Sequence, residues 1–400
     1  MRSRPFIVLY AAVFVATFGI SLVSPLLPVY AENLGATGIW IGFTFASFAI
    51  TYSISGPLIG RLSDRYPRKP FIIFGLLCYL AAALGYLTAD NFTQIIAFRM
   101  LSGVGTGLIF SVARAYIGEM VPAGFEGRWF GVFATADIIG FGSGPMFAGL
   151  MRSWLGFDAV FIAMALIMGA ATLIITILLP PRPPQTQNTT QKALFQTNAS
   201  IWAALKDRLT VALTFHHVLF AFSWGSILAF LAVRLENELF ITPVAIGLAF
   251  GVQNFSSGFS QPLMGWLTDH MNRIGLAALG LMLAGACVLA IGTVDSLLFI
   301  MVLMILLGAS GAMSQVATSA LEIVAGRRVG LGTVIGLGSS GGGVGILCGA
   351  VLGGYLVDLF GTAAAFLFAG TVMIVGAPIF LLMIKGEETH SEFEFSRRIV

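Results

Sequence analysis

Charge is what this sequence has least of. Only 10% of its 400 residues are Asp, Glu, Lys or Arg, 58% are apolar, and the mean hydropathy is +0.94. A soluble domain carries about 25% charged residues. Such a chain cannot cover itself with a water-compatible surface, so lipid must be its solvent. Cysteine is scarce too. Cys78, Cys287 and Cys348 all lie in apolar stretches, which excludes a disulfide framework and a clustered metal set. No Gly-Lys-Ser/Thr phosphate loop and no His/Glu zinc pattern occurs, which argues against ATP-driven chemistry and a resident metal. The Gly341-Gly342-Gly343 run has no sheet to join and is a packing or bending feature. A cleavable leader is not expected either. Arg2 and Arg4 precede an apolar run of more than about 20 residues with no small-residue cleavage site, the pattern of a first membrane span. No cofactor, nucleic-acid partner or catalytic residue is expected.

What the chain does have is long apolar runs. Crossing the hydrocarbon takes about 20 residues, and twelve runs of that order are present. None alternates as a membrane barrel would, so the expected fold is an all-α membrane protein of twelve transmembrane helices in two pseudo-symmetric six-helix bundles. Outside the runs, nearly every Lys and Arg falls in connections on one side, and only Arg152 and Arg234 on the other. That bias places both termini in the cytoplasm. Residues 1–180 form the expected first bundle and 208–385 the second. Between them, 181–207 is Pro- and amide-rich and suits a cytoplasmic linker, with a short surface helix from about Ile201; 386–400 is a polar tail.

The two bundles are related in sequence. Pro57-Leu58-Ile59-Gly60-Arg61-Leu62-Ser63-Asp64 returns about 205 residues later as Pro262-Leu263-Met264-Gly265-Trp266-Leu267-Thr268-Asp269. The same offset carries Arg68 onto Arg273, Gly42 onto Gly247, and Gly103 onto Gly308. It also carries Gly140, Gly144 and Gly149 onto Gly345, Gly349 and Gly354. A parallel duplication of a multi-helix membrane unit points to a transporter.

These residues also carry a family resemblance. Gly60 to Lys69 resembles the loop between helices 2 and 3 of the major facilitator superfamily. Arg99-Met100-Leu101-Ser102-Gly103-Val104-Gly105 resembles that family's helix-4 motif, and Gly140 to Gly149, with Pro145, the helix-5 motif of its antiporters. Pro25-Leu26-Leu27-Pro28 and Ala115-Tyr116-Ile117-Gly118-Glu119 are similar to the twelve-helix drug:proton antiporter branch. Departures exist: Pro67 stands where the loop motif has a second Gly, and Met304 and Ala350 replace the helix-4 Arg and helix-5 Pro in the second bundle. The resemblance implies that Asp64 meets the start of helix 11, near Arg328–Gly332, when the cytoplasmic side is closed. It further implies a part for Arg99 in proton handling.

Each candidate has a plainer alternative. Asp64, with Arg65 and Arg68, is either a latch of the outward-open state or a solvated topogenic loop. Asp269 and Arg273 are its counterparts. Gly140, Gly144, Gly149 and Pro145 suit a pivot and seal between bundles, or ordinary tight packing. Ionisable residues within spans are functional candidates by default. Arg99, Gly103, Gly107, Phe110 and Arg114 share an arc of roughly 80° on an ideal helix. Asp137 is the deepest acid in any span, and its helix neighbours that of Arg114. The expectation is that Asp137 binds the coupled proton with Arg114 as charge partner; a static buried ion pair is the competing reading. His216 and His217 point about 100° apart, so one of them at most lines a cavity, and a metal site is not expected. Gln253, Asn254 and Gln315 are the other polar candidates for a substrate cavity. Glu119 and Glu322 end their helices on the cytoplasmic side and suit the arginines there.

The whole points to a proton-driven secondary transporter in a bacterial inner membrane, expected as a monomer, exporting a small amphiphilic or drug-like solute. Proton-linked movement of an organic anion is the alternative, since the first span holds no acid while Arg99 and Arg114 bring positive charge. A non-transporting membrane sensor on the same fold is a third.

Overall fold

A computed structural model describes residues 4–63, 65–120, 126–180 and 201–385, and the described residues contain helices and no strands. The helices are α1 (Arg4–Val23), α2 (Leu27–Asn33), α3 (Gly38–Ser63), α4 (Arg68–Leu87), α5 (Phe92–Thr106) and α6 (Val112–Met120). The very long α7 (Glu126–Leu178) follows, then α8 (Ile201–Ala204), α9 (Arg208–Val233), α10 (Pro243–His270), α11 (Arg273–Ile291), α12 (Leu297–Val329), α13 (Leu331–Phe360) and α14 (Thr362–Ile384). π-turns join α5 to α6 (Gly107–Ser111) and extend α9 (Arg234–Glu238).

Local chemistry sets the breaks. Pro25 has no N–H to continue the α1 ladder, so the chain turns and restarts at Leu27. Asn91, Asp207 and Asn272 accept backbone N–H bonds at the starts of α5, α9 and α11. Inside α7, Gly156 sits at φ 80°, a conformation closed to most side chains, and folds the helix back on itself.

Among the described residues, ten helical segments are long and apolar enough to cross a membrane. One of them, Thr135–Leu178, runs 44 residues through the Gly156 kink, enough for two crossings. The 28-residue α10 has the length but falls short in apolarity. Its Gln253, Asn254, Ser256, Ser257, Ser260 and Gln261 explain why. Large side chains such as Phe74, Leu166, Leu298 and Leu382 are exposed and suit contact with lipid.

The sequence repeat reappears as a repeat of contacts. A Cβ on Gly103 would strike the Phe48 carbonyl and the Thr51 side chain; one on Gly308 would strike the Gln253 carbonyl and Ser256. Those partners are themselves one repeat apart. Likewise Arg68 Nη1 donates to Ser63 Oγ (3.0 Å), while Arg273 Nε donates to the carbonyl of the equivalent Thr268 (3.3 Å). Each guanidinium thus covers the negative C-terminal end of the preceding helix.

Candidate functional site

The helices alternate in direction, so the molecule has a face near the chain termini and an opposite, far face. At the far face the two repeats touch along two seams. Along α3 and α13, a Cβ on Gly42 would collide with the Ala350 carbonyl, and one on Gly354 with the Gly38 carbonyl. Along α7 and α10, a Cβ on Gly247 would collide with the Pro145 carbonyl, and one on Gly149 with that of Pro243. Only glycine allows backbones so close. Repeat symmetry maps one seam onto the other, residue by residue.

Polar groups secure each seam. The Gly38 and Ile39 N–H groups donate to the Asp358 carboxylate at 2.6 and 3.0 Å, placing an anion at the positive end of α3. Beside the other seam, Arg152 forms a two-pronged ion pair with Glu236, and Asn237 donates to Glu32 (2.6 Å). Arg234, buried, binds Glu238 and Asp295 and so fixes the π-turn that presents Glu236 and Asn237. Among the described residues, every hydrogen bond or ion pair between the repeats lies at this face.

Toward the terminal face the backbone contacts between the repeats become fewer among the described residues. Mid-way, Gly142 still faces the Phe255 ring and Gly343 the Ser53 side chain. Nearer the termini, a Cβ on Gly265, Gly332 or Gly336 would meet nothing within 4 Å. Among the described residues, the closest approach of the repeats is at the far face.

Asp137 and Arg114 belong to the first repeat. Asp137 is half-buried on α7, and its Oδ1 is buried without a hydrogen-bond partner. Arg114, on α6, is exposed. Its charge reaches the Asp137 carboxylate, yet among the described residues no salt bridge joins them. The closed static pair is therefore not what is seen. A π-turn at Gly107–Ser111 lies between Arg99 on α5 and Arg114 on α6. Arg99 is 5% exposed, between the Phe45 and Phe48 rings at 4.7 and 4.6 Å, apart from Asp137.

The helix-5 motif divides its work. Gly140 and Gly144 hold α1 within the first repeat, against Thr17 and Ser21, and Ser21 Oγ donates to the Gly140 carbonyl (2.9 Å). Pro145, Met146 and Gly149 lie on the seam between repeats, and Gly142 faces Phe255 and the Gly251 backbone.

The adjacent histidines separate as their helix spacing requires. His216 is buried. Ser314 Oγ donates to the Ala277 carbonyl (2.9 Å) and so accepts from His216 Nε2 (2.6 Å), which makes His216 a satisfied interior group. His217 is half-buried, with Nε2 3.5 Å from Glu322 Oε1. Glu322 thus pairs with a histidine, not with an arginine of its helix end, because it lies on the α9-facing side one to two turns before Arg327 and Arg328. Gln253 opens into a small pocket within the second repeat, with Ser223, Phe220, Trp224 and Met373; both Gln253 Oε1 and Ser223 Oγ are unpartnered there. Asn254 bonds its own helix at Phe250 (2.9 Å), and Gln315 is exposed.

In the loop motif, Arg65 and Asp269 are exposed and Arg68 is buried. Asp64 lies outside the described residues, as do the side chains of Gly60's neighbour Arg61 and of Glu119; Gly60 continues α3. No group of three or more metal-binding side chains occurs among the described residues.

Known proteins agree with this architecture. The model of the Major Facilitator Superfamily matches residues 9–233 and again 213–398. This chain belongs to that superfamily. A relative, Multidrug resistance protein 2 of Bacillus subtilis, is 27% identical over 93% of each chain. Among solved structures, a bacterial homolog of the human lysosomal transporter Spinster, in an inward-facing and occupied conformation, superposes with TM-score 0.77 at 13% identity, covering 94% of this chain and 96% of its own. The human organic anion transporter MFSD10 (TETRAN) gives 0.65 at 18%, covering 94% and 99%. As a member of the superfamily, the chain is a multi-pass membrane transporter.

Sequence reasoning missed Asp358, Glu236 and Glu32, the acids that bridge the repeats at the far face. A signal was present. Arg152 and Arg234 break the one-sided distribution of positive charge, and each turns out to be held by an acid.

Proposed function

We propose that this superfamily member is a proton-coupled secondary transporter that exports a small amphiphilic or drug-like solute by alternating access. In this reading the chain crosses a bacterial inner membrane twelve times, with Thr135–Leu178 folding back at Gly156 and α10 as a crossing. Both termini are cytoplasmic, residues 181–207 link bundles 1–180 and 208–385, 386–400 is a tail, and the monomer is the working unit. The terminal face is then the cytoplasmic one, and the structure is inward-open.

The observation that carries the proposal is the Asp137 carboxyl, half-buried with one oxygen unpartnered, beside an unpaired Arg114 on the open side. A carboxylate at membrane depth is unfavourable unless it is protonated or paired. It can alternate between the two when a proton, Arg114 or a solute competes for it. Drug-like cargo is supported by the match along nearly the full length of Multidrug resistance protein 2. The test is proton flux in proteoliposomes under a pH gradient. Asp137→Asn should abolish solute-driven proton movement while far-face closure persists; retained coupling would end the assignment.

A second reading is favoured by one feature. α1 holds no acid, and Arg114 offers a free cation to the open side. An anionic solute suits that arrangement better than a cationic drug. Competition between organic anions and organic cations for binding distinguishes the two.

A further inference from the structure

The second repeat has its own titratable pair, His217 on α9 and Glu322 on α12. His217, Glu322 and Gly338 are equivalent to Ala12, Ile117 and Phe133. Arg114 lies one helical turn before Ile117, and Asp137 one turn after Phe133. The first repeat's pair thus lies on α6 and α7, whereas the second repeat's lies on α9 and α12 beside Gly338 of α13, using different residues.

The bonding at His217 settles where one proton goes. Nδ1 is 2.8 Å from the Leu213 carbonyl, and a carbonyl only accepts, so Nδ1 carries hydrogen. Nε2 then faces Glu322 Oε1 at 3.5 Å. A bare nitrogen lone pair against an ionised carboxylate would repel. The contact is held by a proton, either on the imidazole or on the carboxyl. Gly338 leaves the room: a Cβ there would lie 3.0 Å from Glu322 Oε1 and 3.2 Å from the His217 ring.

Among the described residues, no other charge competes closely. On α9, His216 is committed to Ser314. On α12, Arg328 lies 3.6 Å from Asp207, and Arg327 is exposed. α3 brings Tyr52. α13 and α14 carry no acid or base before Asp358 and Lys385, and α11 none beyond Arg273. We infer that His217 and Glu322 jointly hold one exchangeable proton, a second proton-binding site in the second repeat, reached from the open side. The inference rests on the reading of the chain as proton-coupled.

The test is a proton titration of the full-length protein with 15N-labelled histidine, followed by NMR and assigned with His217→Gln. The sequence has 4 histidines, so the spectrum is sparse. His217 should gain and lose its Nε2 proton as pH is varied, and Glu322→Gln should lower its proton affinity about tenfold or more. His216, held by Ser314, serves as the internal reference. Gly338→Ala, which crowds the pair, serves if Glu322→Gln fails to fold; it should lower the affinity less but in the same direction. An unaltered midpoint in these variants, or a His217 proton that never exchanges, overturns the inference. Because the titration needs no transport, it is independent of Asp137. Retained proton flux in Asp137→Asn would sink the earlier proposal and leave this one standing.

Discussion

The two far-face seams are the same contact made twice and secured in two different ways. Gly42 on Ala350 maps onto Gly247 on Pro145, and Gly354 on Gly38 maps onto Gly149 on Pro243. The locks do not map. Asp358 caps α3, but its counterpart is Ser153, and the matching helix start is Pro243, which has no N–H to offer. Arg152 and Glu236 correspond to Val357 and Ala31, which cannot pair. The backbone approach is thus the inherited part and the polar lock the acquired part. One seam uses an acid on a helix start; the other uses an ion pair between side chains.

This difference makes the seams separable by experiment. The largest effect belongs to the shared part. Gly42→Leu and Gly247→Leu each drive a side chain into backbone that cannot yield, at a cost of several kcal/mol to the closed far face. Transport should be lost in both, with the far face held open to a membrane-impermeant thiol reagent. If only one variant has this effect, the seams are not equivalent in the cycle. Next comes Asp358→Asn, which removes a charged acceptor shared by two N–H groups. Losing such bonds is worth about 1–3 kcal/mol. The closed far face should be depopulated about tenfold or more, at any salt concentration.

The ion pair is expected to matter less. Arg152 is 9% and Glu236 23% exposed, and Arg152 also lies over the Phe157 ring at 4.2 Å. Arg152→Ala should weaken closure by about 1 kcal/mol, since partly exposed pairs are screened. The effect should shrink as salt rises, and exchanging the two charges should restore part of it. Smallest of all is Asn237→Ala. Its bond to Glu32 is exposed, so a change of roughly 0.5 kcal/mol or less is expected in the same accessibility assay.

Much of this was legible in the sequence because the repeat offset is a statement about contacts. Gly42, Gly247, Gly149 and Gly354 align because the same backbones must approach. Arg68 and Arg273 align because both cover a helix end. What the offset does not carry is local helix geometry: no residue type in Gly-Leu-Ile-Phe-Ser announces the π-turn between Arg99 and Arg114. The two histidines illustrate a second limit. Spacing showed that they diverge, but only the positions of Ser314 and Glu322 on another helix decide which is interior. α10 shows a third: its polar stripe lowers the apolarity on which span counting depends.

The account stands or falls on whether the far-face seams open when the terminal face closes. Spin labels at Leu155 and Phe240 report the far face, and labels at Tyr66 and Met271 the terminal face; all four side chains are exposed. Distances recorded across a range of pH with and without solute should move in opposite senses, the far pair lengthening as the terminal pair shortens. A far pair that keeps one short distance under every condition, while solute still crosses the membrane, would contradict alternating access through these seams.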